Sequence, residues 1–404
     1  MKYILTLIVG IFIFSSCEKE DGLDNNDPTD TRTVVVYIAG ENNLTGYVQM
    51  NMDSMASGSR KIAATDHLIA YVDRAASGEM PYVARISNGE IEKIDSPFSN
   101  EDTYSSDPEQ FYNVLHWITT RFPADSYGLV LWGHAEGWII QNDSVEVSAG
   151  SIIRRAYGHD SGNNTASTAT GKWLNIPSMA MALSKLPVKW DFIFSDCCCM
   201  QCVEVAYELR QCTHYLIGSP AEIPGTGAPY QLIVPDMFSR QHTFYQKIVD
   251  DYVEQAFNQL PMSVINTEKI EDLAAATRQL LQCIAPTTDK ILDMNGLIYY
   301  YGSIYRDYQI MYDMSDFFQR FASAEEFRIW KQTAEQAVIY KKSATSWLSS
   351  NHVNFSDFSV TDERYGGISM FIPLDIYDAK ELTFNHTFRQ TAWYYATGWY
   401  EYGW

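Results

Sequence analysis

The sequence predicts an α/β fold: a mostly parallel sheet flanked by helices, followed by a mainly helical C-terminal region. Three observations predict it. Short runs of β-branched and apolar residues recur at 33–39, 67–72, 127–132, 190–194 and 214–218, with the unbroken apolarity of strands buried on both faces. Between them lie segments of helical period, among them 108–121 and 201–210, and strands alternating with helices build parallel sheets through crossover connections. Beyond about Asn266 the pattern turns mainly helical, through 270–282, 314–322 and 325–348, with one further strand at 367–373.

Along the chain, the N-terminus comes first. Lys2 precedes an apolar run, 3–14, that ends in Ser15-Ser16-Cys17, the layout of a secretory signal. The run is too short for a stable membrane span, which needs roughly 20 residues. Small residues leading into a cysteine resemble the lipobox of bacterial lipoproteins. That resemblance implies a signal peptide at 1–16, a lipid on Cys17, and an exported protein held to a bacterial membrane only by that anchor. Residues 17–32 are polar, acidic on balance and aperiodic, as a flexible tether is. Their opening, Glu18-Lys19-Glu20-Asp21, resembles an acidic signal for the cell surface.

The first strand ends in Gly40 and the polar cluster Glu41-Asn42-Asn43. Residues 82–94 read as two short strands around Asn88-Gly89, a hairpin added antiparallel to the sheet edge. The Ser-, Thr-, Asn- and Gly-rich stretch 141–172 reads as a long surface loop. The last residues, 388–404, carry Trp393, Tyr394, Tyr395, Trp399, Tyr400, Tyr402 and Trp404, which suit a packed aromatic closure.

Charge narrows the function. The formal net charge is −21, from 50 acidic and 29 basic residues, and a field of that sign repels nucleic-acid backbones and anionic lipid while attracting basic peptides. Nucleic acid is therefore not expected as a partner, and the acidity reads first as solubility; protein or peptide substrates enter through the motifs below. Oligomeric state is not legible. With Cys17 lipidated, six cysteines are left, three of them consecutive at 197–199. Three adjacent thiols cannot all find partners at disulfide distance, so a free and reactive thiol is expected in an exported protein.

Two strands end in chemistry. One gives Leu131-Trp132-Gly133-His134-Ala135-Glu136-Gly137-Trp138, the other Ser195-Asp196-Cys197-Cys198-Cys199-Met200. The carboxyl ends of parallel strands share one edge of the sheet, so His134 and Cys198 can face each other there. A thiol near pKa 8.5 is mostly protonated at neutral pH, and an imidazole beside it can raise its reactivity or protonate a leaving amine. The pair suffices for acyl transfer.

The strand followed by Trp-Gly-His, a small residue, a variable residue and Gly-Trp, with Asp196-x-Cys198-x-Met200-x-x-x-Glu204-Val205-Ala206 some sixty residues later, resembles the clostripain-like cysteine peptidases of the caspase-like clan. The likeness extends over most of 33–400. It implies a caspase-like peptidase core at 33–265 with the helical region at 266–404 appended, and an endopeptidase working through an acyl-enzyme. It implies that Cys198 attacks the scissile carbonyl, that His134 protonates the leaving amine, and that the N–H groups of Ala135 and Cys198 hold the oxyanion. Where the family usually has glycine this chain has Ala135, and a positive φ would be costly there. Asp196 occupies the position that recognises Arg or Lys at the cleavage point, through a charge-assisted contact; it could also cap the following helix. Glu204 reads as structural. Self-cleavage between the two motifs is implied, with Arg154, Arg155 and Lys172 as candidate points. No cofactor is required by the sequence; Ca2+ enters only through the resemblance, since no calcium-loop spacing is visible and no metal ligand stands out.

Two rival readings differ in class. His134-Ala135-Glu136 with Cys199-Met200-Gln201-Cys202 matches the two halves of a zinc deaminase, but without the proline its signature requires. A catalytically impaired surface binding protein on the same fold is the other.

Overall fold

A computed structural model describes residues 30–140, 156–162, 164–168, 171–284, 292–302, 309–350 and 352–404. The signal peptide, Cys17, most of the tether, Arg154 and Arg155 lie outside the described residues.

β1 (Arg32–Gly40) is buried along its whole length. Alternate side chains explain why: Val35, Tyr37 and Ala39 enter one apolar core, while Val34, Val36 and Ile38 enter another on the opposite face. Each such side chain contributes about 1.5–3 kcal/mol on burial, which is why an unbroken apolar run becomes a central strand. After α1 (Thr45–Ser59) and β2 (His67–Arg74), the hairpin of β3 (Tyr82–Ser87) and β4 (Glu90–Ile94) turns at Asn88 and Gly89, whose φ of 52° and 87° suit a tight two-residue turn. α2 (Pro108–Arg121) opens with Pro at its first position and Asp107 accepting from the Glu109 and Gln110 N–H groups, a cap of about 1 kcal/mol.

The chain continues through β5 (Ser126–Gly133), β6 (Tyr157–Asp160), β7 (Lys172–Leu174), α3 (Ile176–Ser184), β8 (Trp190–Asp196), α4 (Val203–Leu209) and β9 (Thr213–Gly218). α5 (Tyr230–Met237), α6 (Phe244–Gln255), β10 (Met262–Asn266) and α7 (Ile270–Ile284) follow. The nine-stranded sheet runs β13-β10-β9-β8-β5-β1-β2-β3-β4, where β13 is Val338–Lys342. β9, β8, β5, β1 and β2 are mutually parallel, and antiparallel pairs extend both sides. β1 lies between β2 and β5, so the chain reverses its direction of travel across the sheet at β1, and the crevice at the strands' carboxyl ends opens there. This is the expected mostly parallel architecture.

Three regions depart from expectation. Residues 157–160 and 172–174, within the stretch read as loop, pair as the β6–β7 ribbon. The helix expected over 325–348 is α9 (Ala324–Ala337) after α8 (Met314–Phe321); the chain then becomes β13, because Val338-Ile339-Tyr340 is β-branched and aromatic and finds the free edge of β10. The C-terminal region also holds β11 (Tyr299–Gly302) and β12 (Gln309–Asp313), paired with a late strand shortened to β14 (Ser369–Met370). The last turns, α10 (Asp375–Ala379), α11 (Phe384–Phe388) and α12 (Ala392–Thr397), pack with Trp393, Tyr394, Trp399 and Trp404 buried, as the aromatic ending predicted, while Tyr395 and Tyr400 of that ending are exposed. Among the described residues no helix is long and apolar enough to cross a membrane.

Candidate active site

His134 follows the end of β5 and Cys198 follows the end of β8 by two residues, and the two strands are adjacent and in register, Trp132 opposite Asp196. Both side chains line one cleft of about 240 Å3, with Leu44, Trp132, Trp173, Asp196 and Glu222 among the other walls. The turn from β5 needs its glycines. Gly133 has φ +145° and a Cβ there would lie 2.7 Å from the Ala39 carbonyl; Gly137 has φ +64° and a Cβ would lie 2.6 Å from the Cys199 carbonyl. The histidine turn is thus pressed against β1 on one side and against the cysteine turn on the other.

His134 Nε2 lies 2.6 Å from Asn43 Oδ1. With the amide oxygen accepting, the imidazole carries a proton on Nε2. Asn43 belongs to the polar cluster after β1 and was legible only as loop chemistry. Trp173 packs beside the imidazole, ring centroids 6.3 Å apart.

The cysteine turn separates its three thiols. Cys197 and Cys199 are buried and Cys198 is partly exposed. Cys197 Sγ approaches the Leu131 carbonyl at 3.6 Å. Cys199 has φ +59°, a left-handed conformation that is costly without glycine, and its N–H donates to Ala221 O at 2.9 Å. Cys198 Sγ accepts from the Ile223 N–H at 3.5 Å. Burial pushes the Cys198 thiol up to about 12, with Glu222, Glu136 and Asp196 adding to the rise against that N–H. This environment favours the protonated thiol over the thiolate. All six cysteines among the described residues are free.

Asp196 caps no helix: α4 begins after Cys202, seven residues into the turn counted from Asp196 inclusive. Its Oδ2 accepts from Tyr230 Oη at 2.7 Å and the Ala228 N–H at 2.9 Å, and its Oδ1 from Tyr252 Oη at 2.8 Å. Burial raises its pKa while these donors pull it down. The carboxylate keeps acceptor capacity, about four lone-pair sites against three donors. Glu222, which sequence reading missed, is tied through its carboxylate to the Ser350 N–H and hydroxyl. Among the described residues the cleft walls thus include the carboxylates of Asp196, Glu222 and Glu136 and no lysine or arginine.

Ala135 does not adopt a positive φ, so the cost expected there does not arise. Glu136 N–H donates to Ala156 O at 3.0 Å and Gly158 N–H to His134 O at 2.8 Å, on either side of the Ala135–Tyr157 bridge. This turns the Ala135 N–H away from β6. Neither it nor the Cys198 N–H meets an acceptor among the described residues. Glu204 is buried, with Oε1 accepting from the Phe371 N–H at 2.8 Å, and so clips the segment after β14 to α4. Lys172 lies exposed in β7 with its Nζ 4.2 Å from the Tyr104 ring centre.

His134, Cys199 and Cys202 do not come together as metal ligands among the described residues, and Cys199 and Cys202 are sealed in the core; the zinc-deaminase reading falls on that geometry. Among the described residues, the group that could hold a metal is Glu41, Asp73 and Asp160, a buried all-oxygen set that suits a hard cation.

Residues 36–404 match the model of the clostripain family. None of the curated proteins compared matches the chain. Among solved structures, a secreted C11 cysteine protease from Bacteroides thetaiotaomicron, bound to an irreversible peptide inhibitor, is 28% identical with a TM-score of 0.73, covering 92% of this chain and 99% of that one. An inactive zymogen C11 protease from Parabacteroides distasonis is 27% identical with a TM-score of 0.73, covering 91% of this chain and 98% of that one.

Proposed function

Because the chain belongs to the clostripain family of cysteine proteases, we propose that Cys198 is its nucleophile and His134 its proton carrier, and that it cleaves peptide bonds after Arg or Lys. The observation that carries this reading is the single cleft lined by His134, Cys198 and Asp196.

The chemistry follows from the groups present. With Nε2–H held by Asn43, Nδ1 is the ring nitrogen that exchanges protons. As Cys198 Sγ bonds to the scissile carbonyl carbon, its proton passes to His134, which then delivers it to the departing amine. Water hydrolyses the resulting thioester with His134 as base. The Ala135 and Cys198 N–H groups receive the oxyanion, a contact that strengthens as charge develops. A guanidinium or ammonium entering the cleft pairs with Asp196, and Glu222 and Glu136 add field of the same sign. That cation also offsets the carboxylates that hold the thiol neutral. Fluorogenic peptides ending in Arg or Lys test the reading: cleavage lost in Cys198→Ala supports it, and equal rates overturn it. The impaired-binder alternative rests on Ala135 and the crowded cysteines; Ala135 has no positive φ, which speaks against the first ground, and the Cys198→Ala comparison decides the second.

Self-cleavage at Arg154, Arg155 or Lys172 belongs to the same reading, supported by a similar structure described as an inactive zymogen. Lys172 is the poorest of the three, since its segment is already paired with Asp160 in the ribbon. Active protein that stayed one chain on a denaturing gel would contradict it. Export with a lipid on Cys17 is the proposed location, supported by the N-terminal sequence and by the secreted relative; acyl-chain labelling lost in Cys17→Ser tests it.

A further inference from the structure

Asp196 lines the cleft with most of its acceptor capacity already spent. A carboxylate offers about four acceptor sites in its plane, two on each oxygen. Oδ2 accepts the Ala228 N–H at 2.9 Å and the Tyr230 hydroxyl at 2.7 Å, so both of its sites are filled. Among the described residues, Oδ1 accepts the Tyr252 hydroxyl alone, at 2.8 Å, and keeps one site.

Packing fixes this occupancy. Tyr230 opens α5 and Tyr252 lies in α6, and both are buried. Burial, and after it the Asp196 charge, raises both phenols well above their ordinary range, so each stays protonated and donates. The loop that carries Ala228 is tied down as well: Gly227 N–H donates to Pro224 O at 3.0 Å and Asn51 Nδ2 to Thr226 O at 3.0 Å. Those bonds occupy carbonyls of the loop, and Ala228 O accepts the Tyr230 N–H at 2.8 Å.

The two basic side chains ask different things of such a carboxylate. A guanidinium gains most as a planar fork, two parallel N–H groups on two oxygens, which needs a free site on each oxygen. Here Oδ2 has none. A guanidinium at Asp196 makes one contact and leaves the second arm of its fork against a saturated oxygen, a buried donor without a partner. An ammonium is a point charge with three rotatable donors, and it meets Oδ1 without needing Oδ2. It gives up more hydration than a guanidinium, and the Glu222 and Glu136 carboxylates on the same walls offset that cost. We infer that the cleft selects lysine over arginine at the cleavage point, and that Tyr230 sets this choice by filling Oδ2. The inference rests on the peptidase reading and narrows it.

The test uses the full-length protein and paired fluorogenic peptides that differ only in Lys or Arg before the scissile bond. In the wild type kcat/KM should favour Lys by about tenfold or more, the effect of one unsatisfied buried donor. Tyr230→Phe leaves one free site on each oxygen, and the Lys-to-Arg ratio should fall to about one or below. Tyr252→Phe removes an equivalent hydroxyl but leaves Oδ2 filled, so its ratio should stay close to that of the wild type. Thermal melts check that both variants fold; if Tyr230→Phe does not, the wild-type ratio decides alone. A wild type that cleaves Arg peptides as fast as Lys peptides overturns the inference and leaves the peptidase reading standing, as does an equal shift of the ratio in the two variants. Cleavage of neither peptide overturns the reading itself, and the inference with it.

Discussion

Asn43 Oδ1 stands 2.6 Å from His134 Nε2, across ninety-one positions of sequence. The relationship assigns Asn43 as a positioning residue, since it touches the imidazole and not the reacting atoms. Asn43→Ala should lower kcat about 10–100-fold, part of what general acid–base catalysis supplies, and leave KM less changed. Steady-state kinetics and the pH profile check this: an unchanged kcat would remove Asn43 from the account.

Asp196→Asn should lower kcat/KM for Arg and Lys peptides far more than for neutral ones, by about 2–3 kcal/mol for a lost charge-assisted contact. Because Tyr230, Tyr252 and the Ala228 N–H all donate to this carboxylate, stability should fall as well. Parallel thermal melts separate the two effects, and a retained preference for basic residues would show that another group reads the substrate.

The Cys198 thiol is raised first by burial and next by Glu222. A raised thiol pKa means less thiolate at a given pH, so alkylation of the free enzyme by iodoacetamide should be slow at pH 7 and keep climbing into the alkaline range. Glu222→Gln removes one cause and should speed alkylation at pH 8. A plateau near pH 7 would contradict the neutral resting thiol.

Glu204 is buried, and burial pushes its carboxyl up to about 8. An acid whose folded pKa exceeds its unfolded value binds a proton on folding, so stability is greatest below the unfolded pKa and declines as pH rises through the interval to about 8, at about 1.4 kcal/mol per pH unit within it. Glu204→Gln keeps an acceptor for the Phe371 N–H and carries no charge. Its Tm should fall less than that of the wild type between pH 5 and 9; parallel curves would place the titration elsewhere.

The central strands and both chemical turns were legible because they rest on local signals: apolar runs of strand length, and Gly133, His134 and Gly137 in fixed spacing. Asn43 and Glu222 were not, since a single polar residue in a loop has no periodicity and its partner is set by the fold. The same holds for Glu41, Asp73 and Asp160, which share no sequence motif and meet only because β1 and β2 are neighbours and β6 folds back over their ends. β13 was hidden behind α9, whose helical period runs directly into Val338.

Cys198 as the nucleophile among three consecutive cysteines is the central claim. Protein treated with a biotinylated acyloxymethyl ketone peptide ending in Lys, then digested and mapped by mass spectrometry, tests it most directly. The expected result is one adduct, on Cys198, absent from His134→Ala treated alike; an adduct on Cys197 or Cys199, or none on active protein, would contradict it.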